Sequence, residues 1–446
     1  MRCWRPVAIS LFLLVSVALV AGRGKGTVHE LTVLHFNDLH ARLAPAADGR
    51  GGFAYLATLL KQERAAAGAS LTLNGGDLAQ GTSVSTAFHG VPIFDLANYL
   101  GIDASCLGNH EFDYGWRQID PFMRASTFAT VGANVVNASG ERLLKHAYVI
   151  REAAGLRVAI VGAMLERFNG TRSWGPWRAA PVVESLRPVV ADARTRADLV
   201  LVLGHLERWE VEAILDELPD VAVVVAGHTH EGFDQEIEHD GRIGVNARGF
   251  GAEIGRLRLR YDTAVHRIVS HDWAHIPVDS TTLRADPDMQ RAVERLEATF
   301  SAIVDVPIGR ASRSIPRAEG RRLIQHAMLE RTGADAAYFW SIGVRDIIPE
   351  GALLARHAWN VSPLDDRVVT VKISGRDLRD VTDPAQPPEL ADGSVEIDER
   401  RTYRLVTVDF LAERWMDLGR KLTMIDRHLL LRDLIIDWVR QRRVIP

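Results

Sequence analysis

His35-Phe36-Asn37-Asp38-Leu39-His40 closes the apolar run Leu31–Phe36, and the switch to polar residues at Asn37 sets a pattern that recurs along the chain. Four more apolar runs end the same way. Leu71–Leu73 runs into Gly75-Gly76-Asp77, and Ala104–Leu107 into Gly108-Asn109-His110-Glu111. Leu199–Leu203 runs into Gly204-His205, and Val221–Val225 into Gly227-His228-Thr229-His230. Apolar runs this short, bounded by glycine, read as buried strands, and Val158–Val161 is another. Between the first two, Ala54–Arg64 has helical spacing, with Tyr55, Leu56, Leu59 and Leu60 on one face. Strands separated by helices predict a layered α/β sheet. Val245–Tyr261 alternates and reads as an antiparallel edge. Reactive groups in α/β sheets gather beyond the carboxyl ends of the strands, so these five tips can meet although the chain separates them widely.

What the tips carry is chemically coherent. Asp, Asn and His without Cys suit divalent Mn, Zn, Fe or Co better than a thiolate zinc or an all-oxygen calcium site. Asp38, His40, Asp77, Asn109, His205, His228 and His230 are more donors than one tetrahedral ion takes. They are about right for two ions sharing a bridging carboxylate, a device for in-line displacement at phosphorus. Each motif alone is weak: Asp-X-His and Gly-Asp are common in loops, and paired His can be a solvated turn. Their joint order carries the signal.

The rest of the chain bounds the setting. Its 446 residues suit two domains, and a net charge of −4 gives no pull toward nucleic acid. Arg2 and Arg5, the apolar run Val7–Val20 and the small Ala21-Gly22 read as a cleaved signal peptide over 1–22. Export to the periplasm or medium follows, without a stable membrane anchor, and nothing implies a protein partner. Cleavage removes Cys3 and leaves Cys106, read as a buried small hydrophobe. A catalytic domain over 28–285, a charged amphipathic connector helix over 286–304 (core Asp288–Ile303) and a smaller α/β domain over 305–446 complete the division. Asp383–Gly393 reads as a surface loop.

At the five tips the chain resembles the calcineurin-like metallophosphoesterases. Gly51-Gly52-Phe53-Ala54, Gly76-Asp77-Leu78-Ala79-Gln80-Gly81-Thr82 and Gly108-Asn109-His110-Glu111-Phe112-Asp113-Tyr114-Gly115 are similar to the 5′-nucleotidase/UDP-sugar hydrolase branch. The resemblance implies a layered β-sandwich flanked by helices, with a smaller α/β domain behind it. It implies two divalent ions, Mn2+ or Zn2+: one on Asp38, His40, Asp77 and His230, the other on Asp77, Asn109, His205 and His228. It further implies a His110–Asp113 catalytic dyad and attack on phosphorus by a metal-activated water, with Asn109 also touching substrate. Asp113 lies three residues from His110, near enough to fix its tautomer.

The C-terminal part departs from the family. Gly333–Arg345 keeps the frame of an Asn-Ser-Gly-Gly-Ile-Arg-like substrate motif, with Trp340 in place of Asn and Ile342 in place of Gly. Arg345 is retained and is the candidate for gripping an anionic group. A Pro-Phe-X-Asn-like stretch becomes Pro363-Leu364-Asp365-Asp366, and the closing Gly-Gly-Asp-Gly-aromatic motif becomes Glu413–Gly419. Trp340 or Trp415 is the candidate to stack on a base. The expected substrate is a small phosphoester, a nucleotide first, and not a nucleic acid polymer. The alternatives are a cyclic nucleotide, UDP-sugar or sugar phosphate, and a binding protein that has lost catalysis.

Overall fold

The computed structural model describes residues 28–166 and 172–446, so the segment read as a signal peptide lies outside the described residues. Two six-stranded sheets form the first part of the chain. In one, the strands 28–36, 70–74, 104–106 and 129–131 run parallel, flanked by 253–262 and 267–277. In the other, 156–164, 199–205, 223–227 and 242–246 run parallel between the antiparallel edges 148–153 and 237–239. The segment expected to be one antiparallel edge is divided between the sheets. Arg242–Asn246 joins the second sheet in parallel, and Glu253–Asp262 lies inside the first, paired to Val28–His35. The true edge of that sheet is Arg267–Pro277, whose long exposed alternation does not show as an apolar run.

Both inner faces are apolar, and this fixes the sandwich. Leu31, Val33, Leu71, Leu73 and Ala104 meet Val158, Ile160, Leu201, Leu203 and Val225 in one fully buried layer. Cys106 lies in it, its thiol pushed well up by burial, so it packs and does not react. Helices 53–67, 91–97 and 119–125 cover one outer face, and 182–196 and 208–217 the other. The helix expected as a connector spans Pro287–Val304. Its N-terminus is capped by Asp286, which accepts from the Met289 N–H at 3.0 Å and holds Lys61 at 2.5 Å. Met289, Phe300 and Val304 are buried in the same core as the helix 53–67, so it packs as part of that layer and is no free tether.

Residues from 307 onward build a separate core around a five-stranded sheet (389–390, 336–337, 402–408, 367–374, 423–430) and a three-stranded one. The Asp383–Gly393 loop contributes a short strand, Glu389–Leu390, and Gln386 reaches back to accept from the Ser341 N–H and hydroxyl at 2.9 and 2.7 Å. The helix Ala355–Val361 seats this part on the first. Trp359 meets Phe300 edge to face at 5.7 Å, Ser83 donates to Asn360 at 2.8 Å, and Arg356 pairs with Glu297 and Asp305.

Candidate metal centre

The carboxyl ends of both parallel sheets open at one edge, and there the backbones come close enough to exclude side chains. A Cβ on Gly227 would lie 2.4 Å from the Gly75 carbonyl oxygen, and one on Gly108 would lie 2.0 Å from Asp77 Oδ1. The first glycine lets loops from opposite sheets touch, and the second lets neighbouring loops of one sheet touch. Five residues at the tips adopt left-handed backbone: Asp38 (φ 51°), His40 (47°), Asp77 (52°), His228 (91°) and His230 (56°). Such conformations cost on the order of 1–3 kcal/mol each and persist where the surroundings over-determine them. The apolar layer below suffices, since each fully buried Leu, Ile or Val contributes roughly 1.5–3 kcal/mol.

The turned backbone aims donors inward. His40, Asp38, Asp77 and His230 bring ligand atoms within 4.8 Å of one another. Asp38 Oδ1 lies 3.4 Å from His230 Nε2, 3.9 Å from His205 Nε2 and 4.0 Å from His40 Nε2. Asp77 Oδ2 lies 3.2 Å from His205 Nε2 and 3.8 Å from His40 Nε2. His205 Nε2 is also 3.0 Å from Asn109 Oδ1 and 3.2 Å from His228 Nδ1. All seven expected ligands thus meet in one cluster, with Asp77 between its two halves.

The cluster fits cations on two counts. Asp38 Oδ1 and Asp77 Oδ2 are buried with no well-directed hydrogen bond, acceptors that a cation among the imidazoles would satisfy. Burial keeps His40 and His228 at about 3 and about 4, the neutral form that ligates metal. Burial also opposes charge on His205, yet Asp77 and Asp38 lift it to about 10, so the site draws positive charge toward its centre. The outward nitrogens are tied down: the Nδ1 of His40 faces the Gln80 carbonyl at 3.1 Å and that of His205 the Gly75 carbonyl at 2.8 Å.

Glu111 had no assigned role in the sequence reading and proves central. Its buried carboxylate accepts from the N–H groups of Gly108, Asp77 and Ala79 at 2.6, 3.0 and 3.1 Å, binding two ligand loops together. Arg42 was also missed; its guanidinium covers the Phe250 ring at 4.9 Å, and that ring packs on His40 and His230. Neither residue follows from spacing, because both act through backbone or ring contacts made only in the fold.

Beside the cluster, His110 Nδ1 and Asp113 Oδ2 are 2.7 Å apart, and the His110 backbone N–H donates to Asp77 Oδ1 at 2.9 Å. Burial disfavours the imidazolium, but Asp113 and Asp77 outweigh it and raise His110 to about 9. Arg345, from the C-terminal part, lies in the field of Asp113, Asp366 and Asp77, held below its usual value by burial. Its Nε is buried without a hydrogen-bond partner.

Trp340 and Trp415 are not equivalent. Trp340 is half-buried and faces Phe410 at 5.7 Å, making an aromatic pair at the turn leading to Arg345. Trp415 is 4% exposed and packs on Tyr338 in the core, which corrects its reading as a base platform. The helix Asp409–Asp417 occupies this stretch and turns Leu411, Ala412 and Trp415 inward together.

A double-sheet sandwich with Asp, Asn and His converging at its strand tips is the build of a metal-dependent phosphoester hydrolase. The chain carries a calcineurin-like phosphoesterase domain, matched over residues 31–232, joined to a 5′-nucleotidase C-terminal domain matched over 308–393. Protein UshA of Yersinia enterocolitica is 26% identical, covering 90% of this chain and 89% of its own. The 5′-nucleotidase of Vibrio parahaemolyticus is 26% identical over 84% and 78%. Among solved structures, a 5′-nucleotidase precursor from Thermus thermophilus shares the fold (TM-score 0.81, 22% identity, 94% of this chain and 97% of that one). A Thermus sulfate thiohydrolase, SoxB, shares it too (TM-score 0.76, 15% identity, 93% and 94%).

Proposed function

We propose that this protein is an exported 5′-nucleotidase that releases phosphate from nucleoside 5′-phosphates with two divalent ions, Mn2+ or Zn2+. Asp38, His40, Asp77 and His230 hold one ion; Asp77, Asn109, His205 and His228 hold the other. The observation that carries the reading is the pair of buried, unpartnered carboxylate oxygens of Asp38 and Asp77 inside the imidazole cluster. When bound, the ions supply Lewis acidity and an activated water for in-line displacement at phosphorus. His110, oriented by Asp113, faces the phosphoryl group as an imidazolium, stabilising its oxygens or protonating the leaving alkoxide. Asn109 contacts the same group.

Arg345 grips the anion with its unpartnered edge. Arg317 donates to the Arg345 carbonyl at 2.5 Å, and burial first and Arg317 second hold Arg42 below its usual value, so three guanidinium groups converge beside the centre. That convergence favours an anionic substrate. Export rests on the N-terminal segment read from sequence; no helix among the described residues is long and apolar enough to cross a membrane.

A second reading, a phosphoesterase for a non-nucleotide ester, is favoured by two observations. Ile342, which stands for a family glycine, is 62% exposed, and Trp415 is buried. Phosphate release from AMP and glycerol phosphate, after metal stripping and reloading with Mn2+ or Zn2+, separates the two. Chelator-sensitive release strongly favouring AMP is expected. Equal release from both esters sinks the nucleotide reading, and none from metal-loaded protein sinks the enzyme.

The pH behaviour of the cleft gives a further expected result. Burial first, then Asp409 and Asp113, raises Asp366 from 3.8 to about 7, with Arg345 opposing. The folded state then holds a proton that the unfolded state has released between those values, so stability falls as pH rises through that window. Asp366→Asn removes this loss. It is expected to raise Tm by about 2–4 °C at pH 8 and to leave it unchanged near pH 4, as calorimetry at both pH values checks.

A further inference from the structure

The strand Leu199–His205 delivers a metal ligand and, two residues on, a carboxylate at the start of the helix Arg208–Glu217. Glu207 is rigidly placed there. Its N–H donates to Glu210 Oε2 at 2.8 Å, and its carbonyl accepts from the N–H groups of Glu210 and Val211 at 3.1 and 3.2 Å. Its side chain, 28% exposed, puts Oε1 3.6 Å from His228 Nε2. Among the described residues, His228 is the one basic side chain with a nitrogen within ion-pair distance of that carboxylate, and its imidazole is neutral.

The two nitrogens of His228 therefore face different ways. Nδ1 looks into the cluster, 3.2 Å from His205 Nε2, while Nε2 looks out toward Glu207. The backbone of His228 is held at φ 91°, the most extreme among the ligands, and its N–H is committed to Asp38 Oδ2 at 2.9 Å. We propose that Glu207 is a positioning residue for the metal centre, its carboxylate holding the Nε2–H of His228 so that Nδ1 is presented as the ligand. This inference rests on the metal assignment above and goes beyond it, since Glu207 touches neither ion nor substrate.

A carboxylate behind a ligating imidazole fixes its tautomer and strengthens it as a donor, and losing such a partner typically weakens metal affinity about 10–100-fold. His40 and His205 have carbonyl oxygens in that place. The ion held by His228 is accordingly the one whose affinity Glu207 sets.

Co2+ titration of the metal-free full chain, followed by its d–d absorption and by chelator competition, tests this beside metal-free Tm. The parent is expected to take two ions. Glu207→Ala is expected to keep one and bind the second about 10–100-fold more weakly with an altered spectrum. Glu207→Gln, which still offers an acceptor, falls between, and metal-free Tm stays within a degree or two of the parent for both. In a His228→Ala background, Glu207→Ala should add no further loss. Parent-like binding in Glu207→Ala, additive losses in the double variant, or equal weakening of both ions with a lowered metal-free Tm would each overturn the proposal. A parent that binds fewer than two ions overturns the metal assignment along with it.

Discussion

Asp77→Asn is expected to abolish the second bound ion and to lower kcat for AMP by about three orders of magnitude or more, the equivalent of several kcal/mol of lost charge stabilisation. The size follows from where the carboxylate sits. It is 1% exposed, its Oδ2 faces His205 at 3.2 Å and His40 at 3.8 Å, and no protein donor satisfies that oxygen. The amide keeps the shape and can still accept the His110 N–H through Oδ1, so the loops need not move. What it removes is the negative charge that the proposed ligand set shares between the two ions. Metal content by elemental analysis and phosphate release, measured on the same sample, check the result. A variant that retained two ions and parent-like turnover would show that Asp77 does not bridge. Thermal unfolding of the metal-free variant on the same sample separates loss of the ion from loss of the fold, because Asp77 also lies against the charged imidazoles of His205 and His110.

The strand tips could be read from the sequence because a buried parallel strand needs a continuous apolar run, and a polar residue at its end has nowhere to go but the open edge. That logic found Asp38, His40, Asp77, Asn109, His205, His228 and His230, all of which the fold brings together. It could not find Glu111, whose role is to accept three backbone N–H groups from loops that meet only in three dimensions. Nor could it find Glu207, which in sequence is one more acidic residue at a helix start. The left-handed turns at five ligands were equally hidden, since Asp and His, though enriched at positive φ, adopt it in only a small fraction of cases.

The C-terminal part was harder for a physical reason. Its site residues sit on turns between short strands, where periodicity says little. Arg345 was found because its motif frame survives; Phe410, the partner of Trp340, was not. The burial of Trp415 had a visible cue, the helical spacing of Leu411, Ala412 and Trp415, but comparison with the family's closing motif drew attention to Trp415 as an aromatic instead. Fold likeness does not repair this, since a 5′-nucleotidase precursor and a sulfate thiohydrolase both superpose closely on the chain. Substrate is decided by the few side chains around the reacting group.

His110→Ala separates the chemistry of the dyad from the binding of metal. The substitution is expected to lower kcat by about 10²–10⁴-fold with two ions still bound and KM for AMP little changed. The His110 side chain touches Asp113 at 2.7 Å and lies edge-on to the His40 ring at 5.1 Å, while its backbone N–H, which Ala retains, carries the bond to Asp77. The leaving group then tells which job the imidazolium does. If it protonates the departing oxygen, the loss should be large for AMP, whose alkoxide is a poor leaving group, and small for a nitrophenyl phosphate, whose phenolate departs unaided. If it only stabilises the phosphoryl oxygens, both esters should suffer alike. Asp113→Asn should follow the same selectivity at smaller amplitude, because it orients and charges His110 without meeting the substrate. A His110→Ala variant that turned over both esters at the parent rate would remove the dyad from the mechanism and leave the metal centre alone to carry it.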